Sequence, residues 1–512
     1  MRPVVVGGFA GTGKSTVGAL AARALGVTFT DTDDVVAERS GAASAGEAFA
    51  RLGEGAFRAM ERDALRDAIE RGGVIATGGG ALTARSVRHE VLERATVITL
   101  EADAATILSR VRPGTRPLLD APDAARRVEE LLEARRDAYA EAHFHVRTTD
   151  RAPAEVAEAI VRRADDRSVV VPLGARTHRY RVVAGRPEAL AEEIGALAPT
   201  GLVVVTDAAV HRARKAHLER ALAAIEAPVL TTVVLPEGEV HKNAAAANVV
   251  WDAALGAGAD RHAVVLAFGG GVVGDVAGFA AATLLRGVRW VQAPTTSLAM
   301  VDASIGGKTG FDHTTGKNLV GAVHQPSAIV ADLAHLETLS PRHGVAGLAE
   351  VVKVGLATDA SLLARATGAI DEALLYAAAS AKIRVVRVDE FESGVRAVLN
   401  LGHTVGHALE THGRFERHLH GEAVALGLLA ELDATTRLGL TAPDVPGAAR
   451  EALGHLGLPT AIDRAFVEAA LHHVWGDKKR VGRALSLPVV RAIGRWSLER
   501  MDVDTFLHAL RG

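Results

Sequence analysis

The amino-acid sequence predicts an α/β fold in which parallel sheets occupy roughly the first 300 residues and helices dominate beyond about Leu336. Short Val, Ile and Leu runs alternate there with Ala-, Glu- and Arg-rich helical patterns, and glycine-rich turns follow several of these runs. A chain of 512 residues is too long for one core, so we expect two or three domains.

Composition limits the classes of partner. Lys and Arg (58) nearly balance Asp and Glu (61), and the net charge of -3 provides no field for binding nucleic acid or an anionic membrane. The chain has no cysteine, so a zinc site would have to use His, Asp or Glu, and this composition fits the cytoplasm. No signal peptide is expected before residues 4–6. The apolar stretch at residues 263–285 contains glycines and Asp275, which indicates a buried strand, a turn and a helix.

A phosphate-binding loop is predicted near the start of the chain. Residues 8–15 (GFAGTGKS) match G-x-x-x-x-G-K-[ST], after an apolar strand pattern and before a helical pattern. Glycines let backbone N–H groups curl around phosphates, Lys14 would neutralise the β- and γ-phosphate oxygens of ATP, and the Ser15 hydroxyl would ligate Mg²⁺. The predicted ATP-binding residues of this loop are Gly11, Thr12, Gly13, Lys14, Ser15 and Thr16.

Acidic, basic and glycine residues accompany the next strand patterns. Asp31 and Asp33 come directly after a short strand, where ligands of open α/β sheets bind, although one aspartate would equally cap the following helix. Three glycines at residues 78–80 follow a strand pattern at residues 74–76, and such a run indicates close approach of a ligand to the backbone. Arg58 lies in a helical pattern, where it would be either a ligand-binding residue or an ordinary solvated arginine.

Residues 1 to about 160 resemble shikimate kinase in the content and order of these motifs, so we expect a kinase domain at residues 1–165. The resemblance implies that Asp33 holds the substrate hydroxyl and that Asp31 supports Mg²⁺ through water. It implies a lid residue, Arg116, on the ATP phosphates, and shikimate-binding residues at Asp33, Arg58, Gly78, Gly79, Gly80 and Arg136. A P-loop GTPase is the alternative, but the segment has no N-K-x-D, the element that reads guanine.

A second glycine-rich region follows a charged junction. Residues 162–168 are charged and precede a new strand pattern, which indicates a domain boundary with hardly any linker. A strand pattern at residues 264–268 runs into glycines that open a helix, a geometry that binds pyrophosphate. An earlier strand ends in Asp207, which would accept a ribose hydroxyl or cap a helix. Lysines, threonines and glycines after further strands suggest a site for a dinucleotide and a phosphate.

Histidines mark a helical pattern in the last third of the chain. His403 and His407 lie four residues apart, so they share one helix face. With His420 and Glu350 this face could hold a divalent metal in a shell of histidines and a carboxylate. The alternative is a solvated helix with scattered histidines.

Residues 173 to about 510 resemble 3-dehydroquinate synthase, so we expect an NAD-binding, Rossmann-like α/β domain at residues 169–335 and an all-helical metal- and substrate-binding domain at residues 336–512. The resemblance implies Zn²⁺ or Co²⁺ on Glu350, His403 and His420. The implied NAD-binding residues are Asp207, Glu237, Glu239, Lys242, Gly270, Gly271, Asp275, Thr295, Thr296, Lys308, Lys317, Leu336, Glu337 and Thr338. The implied substrate-binding residues are Asp302, Lys308, Asn318, Lys353, Lys382, Arg396, Asn400, His407, Lys478 and, from the neighbouring subunit of a homodimer, Arg286.

The two resemblances together imply a bifunctional enzyme that phosphorylates shikimate with ATP and converts 3-deoxy-D-arabino-heptulosonate 7-phosphate to 3-dehydroquinate and phosphate. The implied catalytic residues are Lys14, Asp33 and Arg116 in the first half and Lys308, Lys353, Lys382, Asn400 and His407 in the second. The alternatives for the second half are a metal-dependent alcohol dehydrogenase and another sugar-phosphate cyclase. Its basic residues favour a phosphorylated substrate, and the partners expected are small molecules, without nucleic acid or membrane.

Overall fold

The structure is a computed structural model that describes residues 1–111, 123–314, 316–461, 463–476, 480–481 and 484–511. It contains two compact units, Met1–Arg179 and Tyr180–Gly512. The unit border lies beyond the predicted junction at residues 162–168, because later residues are bonded to the first unit. The Gly174 amide donates to Glu141 at 3.0 Å, and Arg179 donates to the His143 carbonyl at 2.9 Å.

The first unit is built on a five-stranded sheet in the order β2-β3-β1-β4-β5, in which all neighbouring strands are parallel. Its strands are β1 (Val4–Gly8), β2 (Phe29–Asp31), β3 (Val74–Ala76), β4 (Thr96–Glu101) and β5 (Phe144–Arg147), and β6 (Ser168–Val171) follows them. Its helices are α1 (Lys14–Leu25), α2 (Thr32–Ser40), α3 (Ala45–Arg71), α4 (Arg85–Arg94), α5 (Ala104–Arg110), α6 (Ala124–Ala134), α7 (Arg136–Ala140) and α8 (Pro153–Val161).

Burial on both faces of this sheet explains its sequence. All five residues of the central strand β1 are buried, and α1 and α8 cover one face while α3 and α4 cover the other. A parallel strand that is buried on both faces reads as a continuous apolar run rather than an alternating one. A buried ion pair fixes α4 to the end of α7, where Arg88 Nε lies 2.6 Å from Glu141 Oε2.

The second unit contains a sheet in the order β7-β14-β11-β10-β8-β9, and the neighbouring strands from β14 to β9 are parallel. Its strands are β7 (His178–Val183), β8 (Leu202–Asp207), β9 (Val229–Leu235), β10 (Val264–Gly269), β11 (Arg289–Pro294) and β14 (Ala328–Asp332), with an antiparallel hairpin of β12 (Lys308–His313) and β13 (Gly316–Val323). The helices of this layer are α9 (Glu188–Gly195), α10 (Ala208–Ala223), α11 (Ala244–Gly256) and α12 (Gly271–Thr283).

The rest of the second unit is predominantly helical. Its helices are α13 (Pro341–Ala346), α14 (Leu348–Ala357), α15 (Ser361–Arg365), α16 (Glu372–Val386), α17 (His403–His412), α18 (His420–Arg437), α19 (Val445–His455), α20 (Arg464–Ala470) and α21 (Val503–Arg511). The predicted α/β fold and helical C-terminal part are confirmed, with one addition. An antiparallel sheet of β15 (Arg480–Val481), β16 (Ala484–Ala492) and β17 (Arg495–Asp502) packs with these helices, so this part is not all-helical.

The border predicted at residues 335–336 stays a prediction, and the contacts within the chain group residues 180–512 into one compact unit. Helix α14 is buried over its whole length, and it contacts both the helices around it and strand β16. Among the described residues, no helix combines the length and apolarity needed to cross a membrane.

Candidate active sites

The loop between β1 and α1 has the geometry of a phosphate cradle. Gly11 (φ 82°) and Gly13 (φ 92°) adopt the left-handed backbone that favours glycine, and they turn the chain tightly from strand to helix. Helix α1 then begins at Lys14 without a side-chain cap, so the N–H groups of its first turn are available to an anion. Lys14 Nζ donates to the Phe9 carbonyl at 2.8 Å, which holds the ammonium over the loop.

A hydroxyl and a carboxylate meet beside this loop. Ser15 Oγ donates to Asp31 Oδ2 at 2.5 Å, and Asp31 Oδ1 accepts from the Asp33 amide at 3.0 Å. Burial raises the pKa of Asp31, against the hydrogen bond from Ser15. Paired oxygens of this kind fit Mg²⁺, either directly or through water. Asp31 is also the N-cap of α2, so the capping role and the predicted metal role fall on the same residue.

Three glycines leave room for a ligand in the first unit. A cavity of about 100 Å³ is lined by Asp33, Arg58 and the backbone of residues 78–80, among others. A Cβ on Gly80 would lie 2.3 Å from Arg58 Nη2, and a Cβ on Gly78 would lie 2.2 Å from Glu61 Oε1. Side chains at these positions would therefore displace the charged groups of the cavity.

Arg135, and not the predicted Arg136, lines this cavity. The Arg136 side chain is 66% exposed and pairs with Glu133 at 2.8 Å. Arg135 lies between α6 and α7, and its Nη1 donates to the Gly79 carbonyl at 3.1 Å, beside the Tyr139 hydroxyl, which donates to the same oxygen at 2.6 Å. The predicted lid residue Arg116 lies outside the described residues.

The sheet of the second unit has a topological switch point between β8 and β10. The chain leaves β8 towards β9 on one side and leaves β10 towards β11 on the other. Ligands of open α/β sheets bind at the carboxyl ends of the strands where the direction reverses. Asp207 ends β8, and Gly270 and Gly271 follow β10, where Gly270 is the N-cap of α12 and offers no side-chain cap. The two glycines and the start of α12 therefore fit the diphosphate of a dinucleotide.

A cavity of about 520 Å³ brings most of the residues predicted for the second unit together. Those lining it are Glu239, Lys242, Gly271, Asp275, Asp302, Lys308, Lys317, Asn318, Lys382, Arg396, Asn400, His403, His407 and His420. Lys353 lies behind the wall, fully buried, with Nζ 2.6 Å from the Leu399 carbonyl oxygen. Lys478 lies outside the described residues.

The other predicted NAD residues lie at strand ends around the cavity. Thr295 and Thr296 follow β11, and Leu336, Glu337 and Thr338 belong to a 3₁₀ turn after β14. Asp207 caps α10 by accepting from the Val210 amide at 2.9 Å, so the capping alternative holds for it. Glu237 pairs with Arg212 at the surface, and Arg286 ends the 3₁₀ turn after α12, with φ of 68°.

Ion pairs hold the charged side chains of this cavity in place. Lys242 Nζ lies 2.5 Å from both Asp275 Oδ2 and Asn318 Oδ1, and Lys382 Nζ lies 2.8 Å from Asp302 Oδ1. Burial lowers the pKa of Lys382, whereas the ammonium groups nearby hold the pKa of Asp302 below its usual value despite burial. The cavity therefore presents both cations for an anionic substrate and groups able to exchange protons.

Glu350, His403 and His420 form a group of three side chains that could hold a metal ion. Glu350 Oε1 lies 3.6 Å from Nε2 of each histidine, is buried, and has no hydrogen-bond partner. Both Nδ1 atoms are bonded elsewhere, to the Leu401 carbonyl and to Glu410, so both Nε2 atoms are left for a cation. The Lys353 ammonium holds the pKa of Glu350 at about 2 despite burial. This donor set fits Zn²⁺ or Co²⁺, whose open coordination positions would face the cavity.

Three carboxylates that the sequence interpretation did not select belong to the sites. Glu61 is buried and pairs with Arg58 Nη1 at 2.6 Å, and burial raises its pKa. Glu392 lines the larger cavity and bonds both Lys308 and Asn400. Glu410 bonds His420. Glu61 follows Arg58 by three residues and Glu410 follows His403 by seven, so each pair lies on one face of a helix. These two carboxylates could therefore have been selected from the sequence. Glu392 lies in a loop with φ of 59°, for which no local pattern exists.

Comparison with known proteins agrees with this geometry. Residues 232–346 and 347–480 match the family models for the N-terminal and C-terminal parts of 3-dehydroquinate synthase. The 3-dehydroquinate synthase of Pseudomonas fluorescens is 43% identical over 338 residues, which cover 63% of this chain and 91% of the relative. The chain belongs to the 3-dehydroquinate synthase family. Residues 10–165 match the family model for shikimate kinase, so the chain carries a shikimate kinase domain as well.

Solved structures resemble the synthase part. The structure of ValA, a 2-epi-5-epi-valiolone synthase from Streptomyces hygroscopicus with NAD⁺ and Zn²⁺ bound, has a TM-score of 0.56 and 28% identity, and the match covers 65% of this chain and 95% of that chain. A 2-deoxy-scyllo-inosose synthase complexed with carbaglucose-6-phosphate, NAD⁺ and Co²⁺ has a TM-score of 0.61 at 23% identity, covering 67% and 99%, and shows the fold alone.

Proposed function

We propose that the chain is a bifunctional enzyme that phosphorylates shikimate with ATP and converts 3-deoxy-D-arabino-heptulosonate 7-phosphate to 3-dehydroquinate and phosphate. The observation that supports this proposal is that each unit has its own cavity, lined by charged groups expected for one of these reactions. Among the described residues, neither cavity lining draws a residue from the other unit. The two activities therefore need not depend on each other.

In the kinase reaction, shikimate carries one carboxylate and several hydroxyls. We assign its carboxylate to Arg58 and Arg135, because guanidinium groups can pair with a carboxylate in a bidentate way. Asp33 would accept the proton of the reacting hydroxyl, and the backbone of residues 78–80 would bind the other hydroxyls. Lys14 would balance charge on the phosphoryl group in transfer, and Ser15 with Asp31 would hold Mg²⁺, which would supply further positive charge to the ATP phosphates.

In the synthase reaction, the chain's residues bind the phosphorylated sugar acid and move its protons. The cavity is lined by two lysines, an asparagine and a histidine: Lys308, Lys382, Asn400 and His407. We assign the phosphate and the carboxylate of the substrate to this set of hydrogen-bond donors and cations. His407 lies on the helix face of the ligand His403 and lines the cavity, and it belongs to a second group of possible metal ligands with Glu410 and His420. We assign proton transfer to it rather than metal binding. The chemistry supplied by NAD and the metal is transient oxidation of one ring carbinol and polarisation of the resulting carbonyl.

Two assays on the purified chain test the proposal. ATP-dependent phosphorylation of shikimate is followed by ADP release, and synthase turnover by phosphate release from the heptulosonate phosphate with NAD⁺. We expect both activities in the wild type, only the second in Lys14→Met, and only the first in Lys382→Met. Loss of both activities in either folded variant would contradict independent sites. The absence of one activity from the wild-type chain would contradict the bifunctional assignment.

Metal removal separates the halves in another way. A chelator selective for transition metals, used with excess Mg²⁺, should abolish synthase turnover and leave kinase turnover unchanged, and added Zn²⁺ or Co²⁺ should restore the synthase. Equal inhibition of both halves would contradict the assignment of the two metals. Dimerisation through the synthase half and location in the cytoplasm stay predictions, as does the absence of nucleic acid and membrane partners.

A further inference from the structure

His420 lies between two carboxylates, and the distances favour one position for the proton of its neutral ring. Its Nδ1 lies 3.1 Å from Glu410 Oε1, within hydrogen-bond distance, whereas its Nε2 lies 3.6 Å from Glu350 Oε1. An ionised carboxylate only accepts hydrogen bonds, so a neutral imidazole donates from Nδ1 to Glu410. The lone pair of Nε2 is thereby presented to the point that Glu350 and His403 also face.

Glu410 is outside the group of Glu350, His403 and His420 and does not line the cavity. It forms a second group of possible metal ligands with His407 and His420, but its Oε1 already accepts from His420 Nδ1. It is buried, with 4% of its surface exposed, and its Oε2 has no hydrogen-bond partner among the described residues. Its charge is balanced by Lys317, whose Nζ lies 3.2 Å from Oε1 and 3.0 Å from Glu239. A buried carboxylate is costly unless it is paired, so its retention at this place needs a role that an apolar residue could not fill.

The two histidines of the cluster are held differently. His403 Nδ1 donates to the Leu401 carbonyl at 3.1 Å, a neutral acceptor, whereas the partner of His420 is a carboxylate. A carboxylate behind an imidazole fixes its tautomer and ring orientation and raises the basicity of the nitrogen that binds metal. A carbonyl fixes the tautomer with a smaller effect on basicity, because it carries no net charge.

We propose that Glu410 is a positioning residue that orients and strengthens His420 as a metal ligand, with Lys317 as its counter-ion. The proposal rests on the proposed function only in taking Glu350, His403 and His420 as the metal cluster. It does not depend on the substrate or on turnover. Removing a group that hydrogen-bonds a metal-binding histidine lowers metal affinity by about 10- to 100-fold.

Equilibrium metal binding to the full-length chain tests the proposal. Cobalt affinity is measured by competition with a chelator, and the visible absorption of the cobalt-loaded protein reports the ligand field. We expect Glu410→Ala to weaken affinity by about 10- to 100-fold and to change the spectrum. Glu410→Gln keeps the volume and an acceptor oxygen but loses the charge, so its affinity should fall between those of the wild type and Glu410→Ala.

The matched control is Glu416→Gln, which removes the same charge from an exposed position in the same segment and should bind cobalt as the wild type does. Kinase turnover of the same preparation and the thermal midpoint show that each variant is folded. If Glu410→Ala does not fold, the comparison of Glu410→Gln with Glu416→Gln decides. Wild-type affinity in both Glu410 variants, or an equal loss in Glu416→Gln, would overturn the proposal.

Failure of the proposed function would look different. A chain that loses cobalt in His420→Ala and in Glu410→Ala but has no synthase turnover would refute the assigned reaction and support the positioning role. A chain with normal synthase turnover and unchanged cobalt binding in the Glu410 variants would support the assigned reaction and refute the positioning role.

Discussion

Arg135 and Arg136 are adjacent in the chain, and the structure gives them opposite environments. Arg135 is half-buried, lines the cavity of the first unit and stacks over the Phe9 ring at 5.5 Å. Arg136 is exposed and pairs with Glu133. We therefore expect Arg135→Ala to impair shikimate binding and Arg136→Ala to leave it unchanged. The second variant is a control of identical chemistry one residue away.

The magnitude follows from the contacts that Arg135 would make. Hydrogen bonds to a charged group contribute about 1.5–3 kcal/mol, and every 1.4 kcal/mol is a factor of ten in affinity. Loss of the guanidinium should raise the KM for shikimate by about 10- to 150-fold. Arg135→Lys should recover only part of this loss, because an ammonium cannot pair with a carboxylate in the bidentate way. The surface ion pair of Arg136 is worth about 1 kcal/mol or less and touches no ligand group.

Steady-state kinase kinetics with saturating ATP measure the effect, and synthase turnover of the same sample reports the amount of folded chain. The KM for ATP should change much less than the KM for shikimate, because among the described residues Arg135 contacts the phosphate loop only through the Phe9 ring. A larger rise in the KM for shikimate in Arg136→Ala than in Arg135→Ala would refute the assignment. An equal rise in both would show that the segment as a whole, and not one guanidinium, holds the substrate.

Three further predictions concern other contacts. Gly80→Ala would place a Cβ 2.3 Å from Arg58 Nη2, so the KM for shikimate in the kinase assay should rise about tenfold or more; an unchanged KM would contradict this steric argument. Hydrogen bonds from a histidine and Arg88 hold the pKa of Glu141 at about 2 despite burial, below the ordinary value of 4.5. This group therefore adds stability above pH 4.5 that is lost as the pH falls towards 2. The gap in unfolding free energy between wild type and Glu141→Gln should be about 3 kcal/mol at most near neutrality and should close at low pH in urea titrations; a gap independent of pH would contradict it. Gly421→Ala would place a Cβ 1.8 Å from a backbone oxygen of α13, so α18 should shift and the metal content should fall; full metal content would contradict this.

Local motifs predicted the centres of both sites. The phosphate loop and the glycine run at residues 78–80 follow buried strands, and parallel strands bring such ends to one edge of a sheet. The histidine pair needed only the helical repeat to place His403 and His407 on one face. In these cases the chemistry and the local structure are encoded by residues close together in the sequence, so no knowledge of tertiary contacts was required.

The structure does not place Arg136 in the cavity, where the resemblance to shikimate kinase put it. The chain changes from α6 to α7 at Arg135, so the helical repeat cannot be extended across that residue. Tyr139, four residues after Arg135, was the available signal, because residues four apart share a face.

The antiparallel sheet of β15 to β17 was not predicted, because the sequence interpretation expected only helices beyond residue 336. Its strands pair with each other and pack on helices, and β17 is half polar, which weakens a strand pattern.

The three carboxylates that the sequence interpretation missed have one physical property in common. Each pairs with a side chain that would otherwise present an unbalanced charge or an undefined tautomer to a cavity: Glu61 with Arg58, Glu392 with Lys308 and Glu410 with His420. Motifs identify groups that touch a ligand, because the ligand restricts their chemistry. Groups that hold those residues need only the right charge at the right distance, and several positions of the chain can supply it. Their identity is therefore decided by the packing of helices and loops, and it becomes visible only in the folded protein.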